Sequence, residues 1–105
     1  MIHPRRGHVY RMESPEYGRL HCLAIATQEF PGMENSFQAI RVTVTSQRHD
    51  FPLWIRMHSG DPCAGYVVVH DLDRVDTDEL TEDCGALSDE TLLSVEQALK
   101  KMLRL

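Results

Sequence analysis

The 105-residue chain is 42% apolar and 26% charged with a formal net charge of −5, a make-up that excludes disordered and fibrous classes and suits one globular domain over residues 1–105. No apolar run approaches the ~18 residues of a membrane span, and Met1-Ile2-His3-Pro4-Arg5-Arg6 lacks the apolar stretch of a secretory signal. Cys22, Cys63 and Cys84 are odd in number and far apart, which indicates neither a disulfide framework nor a zinc knuckle. A reducing cytoplasm is the expected compartment, with no membrane, metal or cofactor.

The acidic total hides an asymmetry. Residues 1–60 hold seven arginines against five acids, whereas residues 61–105 hold four basic residues against eleven acidic ones. Five of the six histidines also fall in the first part. A polyanion can bind the first part despite the acidic total.

In chain order, Gly7 to Met12 reads as a first strand, and Ser14-Pro15-Glu16-Tyr17-Gly18 has turn chemistry. Leu20 to Thr27 reads as a strand apolar on both faces, hence central. Pro31-Gly32 opens a loop reaching Ser36. The clearest strand runs from Gln38 to Ser46. Ile40, Val42 and Val44 alternate there with Arg41, Thr43 and Thr45, so an apolar face packs on a core and the other carries polar groups. That strand runs into Thr45-Ser46-Gln47-Arg48-His49, five side chains able to hydrogen-bond to a phosphate or a base.

Leu53 to Met57 is a short strand, and Gly65 to His70 is a β-branched, buried one. Asp71 to Asp76 reads as a crossover, Asp76 as the cap of a single helical turn through Leu80, and Gly85 as the close of that region. The last element is a helix. Ser88 suits its N-cap, Asp89 and Glu90 its positive end, and Lys100, Lys101 and Arg104 its negative end. Leu92, Val95, Leu99 and Met102 form its apolar stripe, broadened by Leu93 and Leu103. The expected fold class is mainly β: about five to six strands in a small curled sheet or partly open barrel, with a C-terminal α-helix.

Several landmarks together resemble the MazF/PemK toxin family. Pro4-Arg5-Arg6-Gly7-His8-Val9-Tyr10 resembles its opening segment, and Leu23-Ala24-Ile25-Ala26-Thr27 its second strand. Thr45-Ser46 matches the end of its third strand, followed by Phe51-Pro52. Val75-Asp76, Leu80 and Gly85-Ala86-Leu87-Ser88 match its C-terminal spacing. The resemblance implies an SH3-like barrel, a homodimer, a cognate antitoxin as protein partner and endoribonuclease activity on single-stranded RNA. It leaves as alternatives a non-catalytic member of the same fold that inhibits a protein, or a degenerate toxin. The related gyrase poisons end in a short Trp-Gly-Ile-like tail, unlike Lys101-Met102-Leu103-Arg104-Leu105.

The departures lie at the reactive positions. The family carries Arg-Pro at the start of its second strand, where this chain has His21-Cys22, with Arg19 two residues earlier. Glu16 matches an acidic residue of the preceding loop. The family's Asp-Gln pair falls on His70-Asp71, or with a slip of one puts Asp71 on the Asp itself. Metal-free cleavage of RNA needs a base for the 2'-hydroxyl, an acid for the leaving oxygen and donors for the phosphorane charge. His21 and His70 are the candidate acid and base, and Thr45 and Arg19 the candidate phosphate holders. Glu16, Arg41, Ser46, Gln47, Arg48 and Asp71 are the expected RNA contacts. No His-x-x-x-His or Cys-x-x-Cys spacing suggests a metal site.

Overall fold

The structure is a computed structural model that describes residues 1–16, 18–44 and 52–105. Six antiparallel strands make one sheet: β1 (His8–Ser14), β2 (Gly18–Ala26), β3 (Ser36–Thr43), β4 (Trp54–Arg56), β5 (Tyr66–Asp76) and β6 (Leu80–Ala86). Their order across the sheet is β4-β5-β3-β2-β1-β6. Among the described residues the two edges do not pair with each other, so the sheet stays open, and helix α1 (Asp89–Leu103) follows it. The strand expected to be central is so: β2 lies mid-sheet between β1 and β3, and β5, expected to be buried, lies between β3 and β4.

Several expectations need correction. Asp71 to Asp76 is no crossover, because β5 continues through it and pairs with Ser36–Ile40 of β3. Leu72, Asp73 and Asp76 are exposed there, so a ladder made by backbone groups carried no apolar alternation to betray it. The segment closed by Gly85 is instead the edge strand β6, which pairs with β1 through two register shifts. Its polar, solvent-facing side chains hid it, as charged edges discourage pairing with other chains. Asp76 does precede a short 3₁₀ turn, Thr77–Glu79, but its side chain makes no capping bond.

A further correction concerns β3. Ile40 and Val42 are buried as expected, but Val44 is 57% exposed. The opposite face is not wholly polar, since Phe37 and Ala39 are buried beside Arg41 and Thr43. Both faces of the sheet therefore cover a core. Val9, Leu23, Ile40, Val42, Val67 and Val69 pack with Val95 and Ala98 of α1 on one side. Tyr10, Met12, Cys22, Ala24, Phe37 and Val75 form the second cluster.

Helix α1 begins as its sequence indicates. The Ser88 hydroxyl accepts from the Thr91 amide at 3.2 Å. Asp61 strengthens that end from the β4–β5 connection, accepting from the Ser88 amide (2.7 Å) and the Thr91 hydroxyl (2.6 Å). The buried stripe is Thr91, Val95 and Ala98. Leu92 and Leu99 are partly covered, while Leu93 and Leu103 face solvent instead of broadening the stripe. Gly65 holds the start of β5 at a φ of +125°, and a Cβ there would overlap the Thr43 carbonyl oxygen. Glycine is required by both the angle and the approach.

Candidate functional site

Strand alternation decides which side chains meet. Opposed residues of an antiparallel pair share a face, and their successors point the other way. In the ladder β6-β1-β2-β3, Glu82 opposes Arg11, Arg11 opposes His21, and His21 opposes Val42. Cys22 opposes Arg41 on the reverse face. His21 and Arg41 thus project from opposite sides of the sheet.

Each side has a cleft. One, of about 650 Å3, is lined by Arg11, Glu13, Arg19, His21, Val44 and Thr81, with Leu20. The other, of about 710 Å3, holds Glu16, Asp71, Asp73, Asp76 and Glu79 against Arg41 and Arg74, over Met12, Cys22 and Ala39. Leu20 and His21 border both. The first cleft sets two arginines against one glutamate and contains a histidine; the second is net acidic.

In the first cleft, half-buried His21 has its pKa lowered from 6.5 by burial and then by the nearby Arg11 guanidinium, with Glu82 pulling the other way. It is therefore a neutral imidazole near pH 7, able to accept a proton. Arg19 pairs with Glu13 at 2.9 Å beside the turn of the β1–β2 hairpin, where its side chain is 83% exposed. Arg11 and Glu82 approach only to 4.0 Å. The Thr81 hydroxyl donates to the Arg11 carbonyl at 3.1 Å, pinning edge strand β6 beneath the pair.

In the second cleft, Arg41 Nε meets Asp71 Oδ2 at 2.7 Å, both side chains 44% exposed. The register shift between Ile40 and Val42 against Leu72 and Val67 gives β5 the extra residues that bring Asp71 there. Arg74 Nε donates to the Ser36 hydroxyl at 2.8 Å. A guanidinium beside a carboxylate suits base edges, which offer both donors and acceptors, better than it suits a phosphate.

Of the residues singled out from sequence, His21 and Arg19 share the first cleft, and Glu16, Arg41 and Asp71 share the second. His70 is exposed on β5 and lines neither. Thr45, Ser46, Gln47 and Arg48 lie outside the described residues. Arg11 is the residue that sequence reasoning missed. Pairing the first strand against the second from their hairpin turn would have set it opposite His21. Among the described residues, no group of three or more His, Cys, Asp or Glu is gathered as a metal would need, and no helix is long and apolar enough to cross a membrane.

Residues 5–103 match the family model described as PemK-like, MazF-like toxin of type II toxin-antitoxin system. The chain is 30% identical over 102 residues to Endoribonuclease MazF1 of Mycobacterium bovis, covering 97% of this chain and 94% of the relative. Among solved structures it is similar to an endoribonuclease in complex with its cognate antitoxin from Mycobacterial species, with 30% identity, coverage of 97% and 96%, and a TM-score of 0.84. MazE-MazF (Form-I) from Deinococcus radiodurans matches at a TM-score of 0.81, with all of both chains covered; at 17% identity, that likeness is one of fold.

Proposed function

The chain belongs to the PemK-like, MazF-like toxin family of type II toxin-antitoxin systems, and we propose that it is an endoribonuclease cutting single-stranded RNA in the cleft of His21. The observation that carries this reading is a half-buried, pKa-lowered histidine sharing a cleft with two arginines. Its relatives named endoribonuclease support it.

The reaction follows from those groups. Neutral His21 takes the proton of the 2'-hydroxyl as the 2'-oxygen forms its bond to phosphorus. The bond from phosphorus to the 5'-oxygen breaks, and the departing oxygen is protonated from water. The products are a 2',3'-cyclic phosphate and a free 5'-hydroxyl. Charge building on the phosphoryl oxygens needs fixed donors, which the arginines of the cleft supply. Thr45 is a further phosphate holder by resemblance, and this scheme gives exposed His70 no proton transfer. Glu16, Arg41 and Asp71 contact bases across the Leu20–His21 ridge, while Ser46, Gln47 and Arg48 extend the RNA path.

The proposed assembly is a homodimer in the cytoplasm, held inactive by a cognate antitoxin. Open sheet edges and the exposed Leu93 and Leu103 of α1 support a further protein contact. Incubation of the purified protein with mixed RNA, with and without chelator, tests the activity. Cleavage in both conditions, leaving cyclic phosphate ends, is expected; intact RNA at every protein concentration overturns it.

A further inference from the structure

The chemistry at His21 needs a positive charge beside the phosphate, and two arginines border its cleft. They are not equivalent. Arg19 is held by Glu13 at 2.9 Å and is mostly in solvent at the hairpin end. Arg11 stands directly across the β1–β2 ladder from His21, on the same face. Its carboxylate neighbour, Glu82, comes no nearer than 4.0 Å, and both side chains are about half exposed. An exposed, loosely held pair of this kind is easily exchanged.

We propose that Arg11 is the phosphate-binding residue of the cleft, its guanidinium leaving Glu82 to grip the non-bridging oxygens of the phosphodiester opposite His21. The inference rests on the reading of this cleft as the RNA site. A guanidinium presents a flat fork that matches two phosphate oxygens at once. Facing strands keep their side chains about 4.5–5.5 Å apart at Cβ, so a phosphate held by Arg11 brings its neighbouring ribose hydroxyl within reach of the imidazole.

Arg11 has a second effect on the same site. The charged groups around His21 are Arg11 on β1 and Glu82 on β6, with Arg19 and Glu13 further along the hairpin; its β3 neighbour, Val42, is uncharged. Arg11 helps to keep the imidazole unprotonated, and Glu82 opposes it. When phosphate neutralises Arg11, that restraint on His21 is relieved, which favours proton uptake as the reaction begins.

Three variants test this: Arg11→Gln, Arg11→Lys and Glu82→Gln. The probes are a short mixed-sequence DNA single strand, which lacks the attacking hydroxyl, and mixed RNA. Arg11→Gln should weaken DNA-strand binding, reduce the slope of log affinity against log salt by about 1 and raise the His21 pKa read by NMR in the free protein. It should also slow RNA cleavage by about 10²–10³-fold, as loss of a fixed transition-state donor does, with partial rescue by Arg11→Lys. Glu82→Gln should tighten binding. An unchanged salt slope and an unmoved His21 pKa in a folded Arg11→Gln protein would overturn the proposal. If wild type binds the strand through Arg11 but cuts no RNA, the cleavage reading fails and the phosphate site stands.

Discussion

The two clefts lie on opposite faces of one strand, β2, and differ in what they can do. On the His21 side, a neutral imidazole and two arginines meet in a cleft whose carboxylates only loosely engage one of them. On the Arg41 side, five carboxylates outnumber two arginines, and the nearer arginine is closed onto Asp71 at 2.7 Å. The first arrangement suits proton transfer at a phosphate; the second repels phosphates and suits base edges. Neighbours in sequence, His21 and Cys22, point to opposite faces of the sheet. Residues ten apart, Arg11 and His21, share one face and one cleft.

Both cores rest on the pairing of β3 with β5. Gly65→Ala would force a Cβ into the Thr43 carbonyl at a φ of +125°, where those two strands meet. The expected cost is about 3 kcal/mol or more, read as an early urea midpoint. A variant as stable as wild type would show that the turn can relax. Phe37→Ala acts on one side alone. It empties the core beneath the acidic cleft and should cost about 3–5 kcal/mol. In the protein that stays folded, NMR should find the His21 pKa unmoved, since Phe37 faces away from it. A shifted His21 would mean that the two faces are coupled.

The pH dependence sharpens the contrast. Burial first, then Arg11, lowers the His21 pKa below 6.5. A base of that kind works when neutral, so cleavage should fall as pH drops through a value under 6.5, and the limb should vanish in His21→Ala. The linked stability has the same sign. The unfolded chain takes up the proton at higher pH than the folded one, so this group's contribution declines from about pH 6.5 downwards. An acid limb above 6.5 would assign the titration to another group.

How much of this was legible in the sequence depended on side-chain pattern. Strands with apolar alternation or β-branched runs, such as those containing Leu23, Ile40 and Val68, were readable to within a few residues, as was the helix after Ser88. The β5 extension and β6 were not, because their backbones pair while their side chains face water. His21, Arg19, Arg41 and Asp71 could be named from chemistry and resemblance, but their division between two faces needed the register. Parity alone separates His21 from Cys22, but only the β2–β3 ladder sets Arg41 opposite the latter. The same ladders exposed Arg11, which no motif marked.

Single-turnover RNA cleavage by His21→Ala and Arg41→Ala, measured side by side at saturating RNA, tests directly which cleft carries the chemistry. Loss of His21 should lower the rate by about 10²–10⁴-fold. Loss of Arg41 should weaken RNA binding while leaving the saturated rate within about threefold of wild type, as removal of a binding contact does. Equal rates for wild type and His21→Ala, or a collapse in rate confined to Arg41→Ala, would contradict the assignment of cleavage to His21.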